Sequence, residues 1–172
     1  SAIDELFLTG EGKRHFATYD GFDKNRNGIK GCHTLDELKR LEKIESISKK
    51  ERLIKILSYD ELSDGIYEVK YAIAKQDGKD GYIMQIVDGK EDYVWLNMEE
   101  PYFKTVIDTS KISIEDAEKL AKQAFSNSNI ELIKNKNNSY SLRLNGVSND
   151  GIEFEGWIDM DKWEVNSFYP IN

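Results

Sequence analysis

Apolar residues recur with two different periods along this chain, and each change of period marks an element. In the first 22 residues Ile3, Leu6, Phe7, Leu8, Phe16, Tyr19 and Phe22 are interrupted by Gly10 and Gly12. That pattern predicts a short helical lead-in and a second short helix at about 13–19. Leu35, Leu38, Leu41 and Ile44 then repeat at helical spacing behind Thr34-Leu35-Asp36-Glu37. This is a capping box, in which the Thr hydroxyl takes the Glu amide and the Glu carboxylate reaches back. A second box, Ser48-Lys49-Lys50-Glu51, predicts a further helix with Leu53, Ile54 and Leu57 inward, ending near Asp64-Gly65.

From Ile66 the period becomes two: Tyr67, Val69, Tyr71 and Ile73 share one face, Glu68 and Lys70 the other. Polar turns containing Gly78, Gly81 and Gly89 predict further strands at 82–87, 93–98 and 103–108, making a four-stranded antiparallel meander. Ser113-Ile114-Glu115-Asp116 caps another helix, whose Ala117, Leu120, Ala121 and Ala124 give a packed face of mostly small side chains. Strands at 130–134, 139–144, 152–158 and 164–168 follow. The expected fold is α+β, helices on antiparallel sheet in two sub-modules. Its parts are a lead-in at 1–33, two helices and a meander at 34–109, and a helix with antiparallel strands at 110–172.

Composition narrows the function classes. With 39% apolar and 33% charged residues, 172 residues suffice for a folded, well-solvated globule. The net charge of −8 repels phosphate backbones and anionic headgroups, so nucleic acid and membrane insertion are not expected, whereas basic proteins and divalent cations suit it. Cys32 is the only cysteine and cannot form an internal disulfide. The chain begins at Ser1 without an initiating Met, which carries the expectation of a removed signal peptide or anchor.

Three groups of residues are candidates for chemistry. Phe22-Asp23-Lys24-Asn25-Arg26-Asn27-Gly28 matches the first half of an EF-hand-like loop, with oxygen ligands at Asp23, Asn25 and Asn27 and Gly28 at the bend. The twelfth position falls on Thr34, so Glu37 would have to close a lengthened calcium site. The alternative is an Asx-rich solvated turn. His15, Cys32 and His33 are the only imidazole and thiol ligands, too few for a closed zinc site. Glu153, Glu155 and Trp157 alternate along one strand, and with Trp163 and Tyr169 they form the expected acidic-aromatic partner surface. Ordinary solvated sheet and core are the alternatives. No P-loop, dinucleotide fingerprint, HExxH helix or GxSxG elbow occurs, and no catalytic residue is expected.

Ile112-Ser113-Ile114-Glu115-Asp116-Ala117-Glu118-Lys119-Leu120-Ala121 and Ile158-Asp159-Met160-Asp161-Lys162-Trp163-Glu164-Val165 resemble the opening helix and closing hairpin of the PepSY domain. The resemblance covers residues 112–169. Trp163 stands where that family commonly has Gly in the final turn. The family implies a cell-envelope or secreted bacterial protein that binds or inhibits other proteins or peptides. The expected function is therefore non-enzymatic protein or peptide binding, or inhibition, outside the cytoplasm. Two alternatives stay open: a cytoplasmic acidic partner of the immunity or antitoxin type, and a calcium-binding module using the Asp23 loop.

Overall fold

The computed structural model describes residues 2–23, 28–44, 51–78 and 81–171. The fold is α+β, with mixed helices and antiparallel sheets. Two short helices, α1 (Ala2–Glu5) and α2 (Glu11–Ala17), lead into a hairpin of β1 (Tyr19–Asp23) and β2 (Gly28–Gly31), and then α3 (Leu35–Leu41). Thr34 caps α3 with its hydroxyl accepting from the Glu37 amide at 3.3 Å, but the other half of the expected box does not form: the Glu37 carboxylate turns to Tyr19 N–H at 2.9 Å and to Arg40.

The helix predicted after Ser48 is corrected: Ile54–Ser63 is a strand, β3. It forms a hairpin with β4 (Ile66–Ala74), in register from Ile54↔Ile73 to Ser63↔Ile66. Residues 48–50 of the expected capping box lie outside the described residues. The two residues between these strands are Asp64-Gly65, with Gly65 at φ +84°. Asp-Gly is a strong two-residue hairpin signal, so the turn that reads as a helix stop is the tip of a hairpin.

The predicted meander is also rearranged. β10 (Tyr102–Ile107) pairs directly with β4, and β3 lies on β4's other side, giving the order β10-β4-β3. The residues between make short ladders instead. These are β5 (Gln76–Asp77) with β6 (Gly81–Tyr82), β7 (Met84–Val87) with β8 (Lys90–Tyr93), and β9 (Trp95–Leu96) against the end of β4. A central strand buried on both faces explains this: β4 reads Ile66, Val69 and Tyr71 to Ala74 as buried, and needs a partner on each edge.

The second unit follows its sequence closely. Ser113 caps α4 (Ile114–Ser126), and β11 (Ile130–Lys134), β12 (Tyr140–Val147), β13 (Glu153–Asp159) and β14 (Glu164–Pro170) form a meander in that order. Ala117, Ala121 and Ala124 of α4 are fully buried against the sheet. The sheet answers with glycines: a Cβ at Gly146 would run into the Ala124 carbonyl, and one at Gly156 would lie 2.8 Å from the Phe125 ring. Small residues on both sides let the helix backbone lie close to the strands.

Two hydrophobic cores result. Leu6, Phe7 and Phe16 join α4 and the inner face of β12–β14 through Phe125, Leu144, Phe154 and Phe168. Ile29, Cys32, Leu38 and Leu41 join β3, β4 and β10 through Ile54, Tyr71 and Val106. The first 33 residues are thus divided between the cores, α1 and α2 closing one and the β1–β2 hairpin the other. Among the described residues no helix is long and apolar enough to cross a membrane.

Candidate functional site

β13 alternates strictly, burying Phe154, Gly156 and Ile158 beneath α4 and turning Glu153, Glu155 and Trp157 to the opposite face. Across the pairing, Glu155 lies opposite Tyr169 and Trp157 opposite both Arg143 and Ser167. Their polar ends meet. The Tyr169 hydroxyl donates to Glu155 Oε2 at 2.5 Å and accepts from Trp157 Nε1 at 3.0 Å. Arg143 reaches Glu155 at 3.4 Å and Glu131 at 2.5 Å. A polar row therefore crosses all four strands from Glu131 to Tyr169. Burial holds the Tyr169 phenol protonated well above its ordinary range, and the Glu155 carboxylate it donates to acts in the same direction.

Of the residues expected to form a partner surface, the structure brings Glu155, Trp157 and Tyr169 together. Glu153 occupies the same face at the start of the strand, opposite Val147. Trp163 stands apart, in the turn between β13 and β14, half-exposed and with φ +54°. That is the left-handed conformation a glycine supplies without strain, adopted here by a bulky side chain.

The free edge of β14 is closed by several devices. Ile171 N–H donates inward to Glu153 O at 2.9 Å, so Pro170 presents its own edge outward, where it has no N–H to leave unpaired. Its outward carbonyl accepts from the Thr105 hydroxyl of β10, and Val165 N–H donates to Leu6 O at 2.7 Å. Four rings wrap the same edge. Phe168, on the inner face, stacks on Phe16 with centroids 4.9 Å apart, Phe16 on His33 at 5.5 Å, and His33 on Tyr169, on the outer face, at 5.0 Å.

His33 has buried titratable neighbours, Lys104 and Cys32. His33 Nδ1 bonds the Thr105 carbonyl at 2.7 Å, and burial, with Lys104 acting the same way, holds the imidazole well below its usual pKa. Burial also lowers the Lys104 amine to about 8 and raises the Cys32 thiol to about 12. Cys32 is therefore a neutral thiol in the core. His15 Nδ1 lies elsewhere, 2.7 Å from Asp20. Among the described residues no three His, Cys, Asp or Glu side chains come together as a metal site.

For the calcium reading, Asp23 ends β1 and Gly28 begins β2, while Asn25 and Asn27 lie outside the described residues. The Glu37 carboxylate is engaged within its own neighbourhood, accepting from Tyr19 N–H at 2.9 Å and Arg40 Nε at 2.6 Å.

Two apolar surfaces escape the sequence reading. On β11 and β12, Ile130, Leu132 and Tyr140 are exposed beside α4. Register puts Ile130 opposite Leu144 and Leu132 opposite Leu142, so they continue the core face past the helix. On the β7–β8 hairpin, Met84, Ile86 and Val87 are exposed, with Met84 opposite Tyr93. Alternation alone marks Ile130 and Leu132 as inward. Only the width of the covering helix, which no sequence pattern states, leaves them in solvent. No protein-family model matches the chain, and no curated protein matches it.

Proposed function

We propose that this chain is a non-enzymatic module that binds a protein or peptide partner. The observation that most supports the reading is the grouping of exposed apolar side chains on one face of neighbouring strand positions, Ile130 with Leu132 and Tyr140, and Met84 with Ile86. Contiguous apolar strand surface in solvent is what a protein interface looks like before it is covered. The polar groups that would be needed for chemistry are committed to one another instead: Glu155 to Tyr169 and Arg143, Glu37 to Arg40, His33 to Thr105. A setting outside the cytoplasm is carried by the PepSY resemblance alone.

The test is selection of a displayed library of random short peptides on the immobilised full chain, followed by titration of the recovered peptides in solution. Saturable binding that is lost in Leu132→Glu or in Ile86→Glu is the expected result. A library that returns no peptide binding in solution, or binding indifferent to both substitutions, rejects the reading.

A further inference from the structure

We infer that the partner is an extended peptide segment that adds as a fifth strand to β11. This rests on the peptide-binding reading above and assigns its place, backbone geometry and side-chain pattern.

The four-stranded sheet has two edges, and they are treated differently. β14 is sealed by Pro170, Thr105, Leu6 and the wrapped rings. β11 has nothing comparable. Asn135 N–H donates to Ser139 O at 2.8 Å, which places the hydrogen-bonded pairs of this ladder at odd positions of β11. Ile130, Leu132 and Lys134 therefore point their N–H and C=O groups away from β12. Among the described residues none of these groups has a hydrogen-bond partner. An open edge of this kind accepts an extended backbone and nothing else so well.

Side chains specify the rest. Period two puts Ile130, Leu132 and Lys134 on the α4 side of the sheet, where Leu132 is 60% exposed beside Tyr140. An added strand laid beside them would place alternate residues on that shoulder, so those residues are apolar. Lys134 and Lys136 form no ion pair among the described residues, whereas Glu131 is already held by Arg143. The end of the edge at Lys134 is locally basic in a chain of net charge −8. The partner residue facing Lys134 is therefore acidic. A second copy of the chain is disfavoured as occupant because two bodies of charge −8 repel.

Three variants separate backbone pairing from side-chain contact. Leu132→Pro deletes an outward N–H while leaving every bond to β12 in place, and Leu132→Val keeps the N–H and an apolar side chain. Lys134→Glu alters only an exposed charge and guards against a proline variant that fails to fold. The probe is the peptide set recovered from the random library on the full chain. The expected result is recovered sequences with apolar residues at alternate positions and a flanking acid. Their binding should slow amide exchange at Ile130, Leu132 and Lys134, and should weaken about tenfold or more in Leu132→Pro but only a few-fold in Leu132→Val. Selection repeated on Lys134→Glu should exchange the acid for a base.

Peptides that bind but protect 84–93 instead, or that bind Leu132→Pro as tightly as the parent, overturn the strand-addition inference and leave the peptide-binding reading standing. Sequences without alternation overturn it too. Sedimentation showing a dimer that Leu132→Pro dissociates would assign the edge to a second copy and overturn it. Recovery of no binding peptide defeats both.

Discussion

The His33 imidazole stacks on the Tyr169 ring with centroids 5.0 Å apart and planes 11° from parallel. This contact joins the two halves of the molecule. His33 belongs to the segment that runs beside β10, where its carbonyl accepts from Ile107 N–H at 2.9 Å and Thr34 bridges Ile107 in parallel. Tyr169 belongs to the edge strand of the other sheet. The stack covers that edge, so the polar row on the outer face of the sheet ends against the ring of buried His33.

Removing the Tyr169 hydroxyl separates the joint from the row. Tyr169→Phe keeps the ring on His33 but leaves Glu155 Oε2 and Trp157 Nε1 without their shared partner. A loss of about 1–3 kcal/mol in urea unfolding is expected. Tyr169→Ala, which also removes the stack, should cost about 3–5 kcal/mol. In Glu155→Gln the added cost of Tyr169→Phe should shrink, since the charged acceptor is gone. Full additivity of the two changes would mean that the row is not coupled.

The buried bases set a pH dependence whose sign follows from the direction of their shifts. His33 is neutral in the folded chain and titrates well below 6.5, so the unfolded chain binds its proton first. Its contribution is complete above about pH 6.5 and is lost as pH falls below that value. Lys104 titrates at about 8 in place of 10.5. Stability should therefore also rise between those two values as the unfolded amine deprotonates. Melting temperature across pH should thus fall from 6.5 toward 5, by an amount that His33→Phe reduces. Lys104→Met should flatten the alkaline rise and increase stability at neutral pH. An unchanged acid limb in His33→Phe would assign the loss to the carboxylates Glu11, Asp20 and Glu37, whose pKa values are lowered.

Close approach of α4 to its sheet makes a sharper prediction. Gly146 has no room for a Cβ because the Ala124 carbonyl occupies that place, and the neighbour is backbone, which cannot rotate away. Gly146→Ala is expected to destabilise by about 2 kcal/mol or more by forcing the helix off the sheet. Denaturant titration measures it directly, and a cost below about 0.5 kcal/mol would show that the helix can shift freely.

How much of this was legible in the sequence follows from which forces are local. The caps of α3 and α4, the alanine face and the alternation of β13 are set by neighbours in the chain, and the structure places all of them. Leu53, Ile54 and Leu57 fit a helical stripe, but β3 is a strand because pairing with β4 across Asp64-Gly65 decides it. The expected partner surface was partly legible. Alternation places Glu155, Trp157 and Tyr169 on one face, but the bonds tying them together, and His33 covering Tyr169, arise from contacts distant in sequence. The open edge at β11 depends on what fails to reach it, a tertiary fact with no local signature.

The turn at Trp163 offers a test in which glycine should outperform alanine. Trp163 holds φ +54°, a region that costs a residue with a Cβ about 1–2 kcal/mol and glycine almost nothing. Comparing Trp163→Gly with the parent would mix this strain with loss of the half-buried indole. Trp163→Gly and Trp163→Ala lose the same ring, so their difference isolates the backbone. At most positions glycine is the less stable of the two, because it has more freedom to lose on folding. At this one the glycine variant should be the more stable by about 0.5–1 kcal/mol, a rise of roughly 1–4 °C in melting temperature for a chain of this size. If the alanine variant melts higher, the turn relaxes out of the left-handed region once the indole is gone. The conformation would then be held by the Trp side chain and not imposed by the hairpin.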